Sequence, residues 1–525
     1  MLGALVVVAW FIQSFFLNYT VDDAFITFRY SRNLANGLGL VFNPGEKVEG
    51  FTNFLWTLYC SIPFLLGVDV LWFSKITLML LSAGSLTLAV LLLRTFGGRT
   101  TWWFPHLVGV LLATNTSFTV YAVNGIETGL FVFLLLLALL LSARECAKGG
   151  WVSAIPWALL FLTRPDGLLF FGIIWLARLL FFKRGRHFWL WTAVYAGIVI
   201  PYTAFRLAYF GYPFPNTYYV KTAGSLADRV GRWGLRYFSD MLAVVPNWFY
   251  LFLPMAGAPF VWRRVPRLAR VLVALPYIYL GYVLYVGGDI NFPHFRFLLH
   301  VLPLMAVVGL LPLAAQARAG GRKIGGSTVK LAGAVLLVLA TAILQVNHTI
   351  SVWRSLNRGS ESIRYRYMHV TPLAGLVSIY PTIGEYLKTA CPPGSKVVMQ
   401  DVGAIPFYSN VVTIDIIGLV NAELAHYFYE EGYSDYMRSK LPVEMVLEVD
   451  ANVRDYIMEK QQADFILYHV DSGDASDLRY SFHFHNLAFD PRFSLLYEPV
   501  AEFRYPRSGL VDHILFQRMG ESAVP

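Results

Sequence analysis

Asp22 and Asp23 stand side by side in the stretch TVDDAFITFRY, directly after the first apolar run of a very apolar chain. Adjacent carboxylates can favour a helix N-terminus, hold a divalent cation, or take a proton from a hydroxyl. Arg29 follows Asp22 by seven residues, which puts both on one face of a helix. Similar groups recur along the chain. Lys47, Glu49 and Asn53 lie in NPGEKVEGFTNFLW, and Asn124 and Glu127 in NGIETG. Arg164 and Asp166 lie in TRPDG, Lys221 in PFPNTYYVKT, and Asp289, His294 and Arg296 in GGDINFPHFRF. Singly, each has a plain reading: Asp22, Asp23 or Glu127 as a helix-terminal charge, Arg164 or Arg296 as a snorkelling anchor, Lys47 as a surface or headgroup contact, His294 as a structural hydrogen-bonder. Acids and bases from several loops collected on one side of a membrane are harder to explain as independent caps, because ionisable groups at membrane depth are costly and mark substrate or ion paths.

The elements that must position these groups are membrane helices. The 525 residues are 56% hydrophobic and 14% charged, against about 25% charged in soluble domains. The net charge of +9 reads as cytoplasmic loops rather than as nucleic-acid binding, because Lys and Arg cluster between apolar runs. Cys60, Cys146 and Cys391 are isolated, with no disulfide framework, Cys-based metal motif, Rossmann or P-loop signature. Apolar runs fit a core of about 30 Å near 1–17, 73–93, 103–122, 128–143, 151–163, 166–180, 188–208, 246–262, 270–286, 297–315 and 331–347. That is eleven spans, with 53–67 assigned to the interface. With the amino terminus inside, sixteen Lys and Arg fall on the cytoplasmic side, and ten of the eleven acids before residue 350 face outward. A further span at 53–67 would destroy both patterns. The first run lacks a basic leader region and a cleavage site, so it reads as an anchor; its lack of Lys or Arg points to a start inside a longer protein.

The first outer loop, 18–52, opens with a helix that begins at the acids and stops at Asn36-Gly37. Beyond residue 349 the pattern changes. Short β-like runs (SKVVM, VVTIDII, ADFILYHV) alternate with helical stretches such as RDYIMEKQQ. Residues 350–525 therefore read as an α/β domain outside the membrane, following a helical membrane domain at 1–349. Asp401 and Tyr408 in DVGAIPFYSN either fold over the outer site or form an ordinary strand turn.

The motifs DDAFITFRYSRNLANGLGLVFNPGEKVEGFTNFLW, NGIET, TRPDG, GGD…FRF and DVGAIPFYSNVVTIDIIGL together resemble the GT-C class of membrane glycosyltransferases, in particular bacterial arabinofuranosyltransferases. The resemblance covers nearly the whole chain. It implies a polytopic helical GT-C fold and inverting transfer from a polyprenyl-phosphate sugar outside the cytoplasm of a bacterial plasma membrane. It also implies that an acid of the first outer loop, hence Asp22 or Asp23, is the general base, with Asp22 favoured. The acceptor would be a cell-envelope glycan, a lipid-linked glycan or a pilin-like protein, and nucleic acid is not a partner. The leaving lipid phosphate needs positive charge or a metal. Lys47, Glu49, Asn53, Glu127, Arg164, Asp166, Lys221, Asp289, His294 and Arg296 are the candidates to hold donor sugar and phosphate. The Asp22–Asp23 pair offers only oxygen, so an ion there would be Mg, Mn or Ca, although no cofactor is required. Mannose or aminoarabinose are alternative sugars. A transporter for lipid-linked sugars or a receptor with an outer ligand-binding domain are alternatives of other classes.

Overall fold

A computed structural model of the chain describes residues 1–98, 100–182, 185–223, 225–261, 267–288, 295–319, 324–357, 368–370, 379–433, 443–470, 485–504 and 511–520. Among these described residues, six helices are long and apolar enough to cross a membrane. They comprise Val70–Gly97, Thr128–Lys148, Arg186–Phe210, Arg267–Val286, the first 19 residues of Arg296–Ala319, and the Ala332–Arg354 part of a longer helix. Shorter apolar helices, Leu2–Ser14, Ala154–Thr163 and Gly167–Phe181, occupy three further runs read as spans, and Asn247–Val261 a fourth. The run at 103–122 is not one continuous helix. It breaks into His106–Ala113 and Thr116–Val120 at Asn115, whose side chain caps the second piece by accepting from the Phe118 N–H at 3.0 Å.

TRPDG interrupts its run for a backbone reason. The proline disfavours helical geometry at the residue before it, and Arg164 is extended, with φ −159°. The segment read as interfacial forms two short helices, Phe54–Tyr59 and Ile62–Leu66, ended by Gly67 at φ +67°. The first-loop helix spans Asp22–Ala35, and Gly37, in the left-handed region at φ +78°, follows its end.

Seven strands are described: β1 (Tyr19–Val21), β2 (Met368–Val370), β3 (Lys396–Met399), β4 (Val412–Asp415), β5 (Phe465–His469), β6 (Tyr497–Arg504) and β7 (Val511–Arg518). The antiparallel pair β1–β2 joins the start of the first outer loop to the segment after the helix Ile324–Asn357. The other five form a mixed sheet in the order β4-β3-β5-β7-β6, with β3 parallel to β4 and β5, and β7 antiparallel to β5 and β6. Strand alternation divides its side chains between two cores. Val398, Ile466, Tyr468, Ile514 and Phe516 pack with the outer helices. Val397, Met399, Phe465, Leu467 and Leu515 face the other way and belong to one continuous core with the bundle and the first-loop helix.

Candidate active site

The first-loop helix is clamped between the bundle and the sheet. Below it, the Val21 N–H donates to the Asn124 carbonyl, and a Cβ at Gly125 would lie 3.1 Å from that of Ala24. Lys75 donates to the carbonyls of Tyr19 and Val123, at 2.6 and 2.9 Å. Above it, Arg29 is only 1% exposed. Its guanidinium donates to the carbonyls of Phe42, Pro406 and Val411, to Asn43 Oδ1 and to Thr413 Oγ1, and lies over the Phe42 ring. Arg32 reaches the Phe407 carbonyl, and Asn43 pairs with the backbone of Thr413 in both directions. Arg29 is thus a connector between first loop and sheet, with its donors spent on three backbone carbonyls and two side chains.

Asp22 shares that face. The helix is preceded by Val21, and no side chain caps it. The Asp22 carboxylate instead accepts the Ala404 N–H at 2.7 Å. Gly403 closes over it so tightly that an added Cβ would lie 2.3 Å from Asp22 Cγ. Burial is the main cause that pushes the Asp22 carboxyl up to about 8; the charges of Asp401 and Asp23 act in the same sense, and the Ala404 N–H opposes them. Asp23 is the more open of the pair.

A second group lies under the same helix. Thr27 hydrogen-bonds to Asn53, whose amide donates to Glu127 Oε2 at 3.0 Å. Glu127 Oε1 pairs with Arg164 Nη1 at 2.6 Å, and Arg164 Nε with Asp166 Oδ1 at 3.0 Å. Asp166 Oδ2 accepts from the Tyr279 hydroxyl at 2.9 Å, and that hydroxyl meets His300 Nδ1 at 2.6 Å. Arg164 and Arg296 both hold their guanidinium groups over the Phe297 ring, at 5.3 and 5.4 Å. Asn53, Glu127, Arg164, Asp166 and Arg296 are thereby brought together. Arg164 is buried between two carboxylates and is not a snorkelling anchor, and Glu127 binds Arg164 and Asn53 instead of capping its own helix.

Glu49 stands apart from this chain, in an ion pair with Arg206 at 2.7 Å, and burial lifts its carboxyl to about 7 against the pull of that arginine. Lys47 is exposed, over the Tyr209 ring at 4.9 Å. Lys221 is exposed in the last turn of the short helix Asn216–Thr222, whose Tyr219 and Val220 pack on Ala425. Asp289 and His294 lie outside the described residues. Sequence reasoning passed over Arg206, Tyr279 and His300. The available signal was a polar group inside an apolar run. It also passed over His469 and His513, which converge with Asp401 behind the Ala404 loop.

The chain is similar to several known proteins. Residues 365–518 match a family described as a domain of unknown function (DUF8728). The chain is 31% identical over 339 residues to a terminal beta-(1→2)-arabinofuranosyltransferase of Corynebacterium glutamicum, covering 56% of this chain and 47% of that protein. It is 27% identical over 340 residues to the protein of the same name from Mycobacterium tuberculosis, covering 56% and 53%. The chain thus spans about half the length of the curated relatives it matches. Among solved structures, ArnT from Cupriavidus metallidurans bound to undecaprenyl phosphate aligns with a TM-score of 0.55 at 13% identity, over 100% of this chain and 98% of that one. The chain shares the fold of ArnT and, among its described residues, has six helices long and apolar enough to cross a membrane.

Proposed function

We propose that the protein is an inverting glycosyltransferase that moves arabinofuranose from a polyprenyl-phosphate donor to a cell-envelope glycan. In this reading it lies in the plasma membrane of a bacterium, with eleven crossings, and the sheet domain and active site are on the non-cytoplasmic side. The observation that carries the reading is the carboxylate of Asp22, held under the Ala404 N–H on a helix whose other end of contact is a buried chain of polar groups leading from Thr27 to Asp166. The curated relatives supply the choice of sugar.

An acceptor hydroxyl is a weak nucleophile until a base takes its proton as the C–O bond forms. Asp22 is that base, and its raised proton affinity suits the task better than that of an ordinary solvated carboxylate. Asp23, more open, orients the acceptor or holds the sugar. Positive charge develops on the sugar ring as the lipid phosphate departs, and Arg296, Lys221, Lys47, Asp289 and His294 remain the donor-side candidates. Arg164 contributes by fixing Glu127 and Asp166, since its own charge is balanced by both. Glu49 with Arg206 braces the loop that carries Lys47.

The test is transfer of radiolabel from polyprenyl-phosphoryl-arabinofuranose to envelope acceptors, using wild type, Asp22→Asn and Asp23→Asn. The expected result is transfer by wild type and loss of transfer in Asp22→Asn with folding intact. Activity with another polyprenyl sugar and none with arabinofuranose would reassign the sugar. Silence with every lipid-linked donor would sink the enzymatic reading.

A further inference from the structure

Three buried groups apart from Asp22 and Asp23 meet on the side of the sheet that faces the helical bundle. Asp401, His469 and His513 are 5%, 1% and 1% exposed, and one ligand atom from each lies within 4.8 Å of the others. Strand geometry explains how residues so distant in sequence converge. His469 and His513 are direct partners across the antiparallel pair β5–β7. In the parallel pair β3–β5, Val397 pairs with Phe465 and Val398 with Ile466, and continuing that register puts Asp401 level with His469. All three have the parity of Val397, Leu467 and Leu515, whose side chains face the bundle. They form one row across three strands, at the carboxyl ends of the parallel strands, where α/β sheets place their ligands.

We propose that Asp401, His469 and His513 form a binding site for a divalent transition-metal ion of the zinc type, which fixes the rim of the sheet that holds Asp22. His469 Nδ1 and His513 Nε2 both point at the same oxygen, Asp401 Oδ2, at 3.3 and 3.1 Å. With metal–ligand bonds of about 2.0–2.2 Å, neighbouring ligand atoms of a tetrahedral site lie about 3.4 Å apart, and these two edges fall within about 0.3 Å of that spacing. The imidazole rings are 85° apart in plane, with centroids at 4.7 Å.

The second nitrogen of His513 decides its tautomer. His513 Nδ1 lies 2.8 Å from Asp512 Oδ2, so it carries a proton and donates it. That arrangement leaves Nε2 as the lone-pair nitrogen, and a carboxylate behind a histidine is the usual support of a ligating imidazole. The two charges of a divalent ion match Asp401 and Asp512, both buried. Two nitrogens and one oxygen favour zinc over magnesium or calcium, which separates this site from the all-oxygen pair at Asp22–Asp23. Three protein ligands leave a fourth position for water.

The position gives the ion its role. Asp401 lies two residues before Gly403 and three before Ala404, the residues that close over Asp22. Crosslinking β3, β5 and β7 at this level holds that turn in place.

The test uses the full-length protein in detergent or nanodiscs, stripped with a chelator and titrated with Co²⁺, whose ligand-field absorption reports a site containing nitrogen. Wild type is expected to bind one equivalent with a tetrahedral spectrum and to be displaced by Zn²⁺. Asp22→Asn should bind equally well, which separates this site from the catalytic one. Asp512→Asn should weaken binding by about 10- to 100-fold while preserving the three ligands, and His469→Gln with His513→Gln should abolish the spectrum. Should the double variant fail to fold, Asp512→Asn against wild type decides. No ligand-field spectrum in wild type, or equal affinity in wild type and Asp512→Asn, would overturn the proposal.

Discussion

Asp22 links the site's electrostatics to a measurable pH profile. With its carboxyl near 8, about half of the molecules hold an ionised base at pH 8, about one in ten at pH 7 and about one in a hundred at pH 6. If Asp22 takes the acceptor proton, kcat/KM rises about tenfold per pH unit up to that point and then levels, because kcat/KM reports the free enzyme. The assay is initial-rate transfer of labelled sugar from a polyprenyl-phosphate donor at subsaturating acceptor, from pH 5.5 to 9.5. The same group makes an opposite prediction for stability. Its folded value lies above the unfolded value near 3.8, so the folded protein binds the extra proton. The stabilisation is fully present below about pH 4 and is lost as pH rises through about 8, on the order of a few kcal/mol in total. Asp22→Asn stays neutral and its oxygen still accepts from Ala404, so this variant should be inactive yet more resistant to thermal unfolding than wild type at pH 9. A flat rate profile between pH 6 and 9 with chemistry rate-limiting, or an Asp22→Asn variant that keeps its activity, would refute the reasoning.

Three other substitutions probe the frame around the base. Gly403→Ala puts a methyl group against Asp22 Cγ and should cut transfer at least tenfold while the membrane bundle stays folded, as judged by rate and circular dichroism. Arg164→Met strands Glu127 and Asp166 without their buried partner and should destabilise by about 3–5 kcal/mol; unfolding in mixed micelles measures it, and a change below about 1 kcal/mol would contradict the buried ion network. Arg29→Met removes the guanidinium's hydrogen bonds to the carbonyls of Phe42, Pro406 and Val411, each of which keeps one local donor, in Asn33, Asn410 and Thr413 respectively, at about 1.5–3 kcal/mol for each charge-assisted bond lost. Limited proteolysis of residues 403–413, slow in wild type, should then become fast.

Much of this site was legible where chemistry and local pattern coincide. The acids, the Asn36-Gly37 stop and the helical spacing delimited Asp22–Ala35, and the shared face of Asp22 and Arg29 is the face that meets residues 404–413. TRPDG announced the break at Arg164 through its proline. The β-like runs SKVVM, VVTIDII and ADFILYHV became β3, β4 and β5. What could not be read was long-range pairing. The row Asp401, His469 and His513 exists only through the β3–β5–β7 register, and no local spacing encodes it. Arg206 is 157 residues from Glu49, and nothing local to its apolar run points to that pairing. The 103–122 run looked continuous because Asn115 acts through its side chain, which hydropathy does not register.

Arg29 also imposes an order of events on synthesis. Its acceptor at Pro406 lies 377 residues downstream, which at about 5–20 residues per second is a delay of roughly 20–75 s. Throughout that interval the helix bearing Asp22 has left the ribosome while the backbone that will cover it does not yet exist. The guanidinium must spend that time in water or among lipid headgroups, and the helix can reach its final seat only after the sheet has formed. The helix that carries Asp22, among the first elements made, is thus among the last to mature, and in a nascent chain stalled before residue 406 it would still lack its seat.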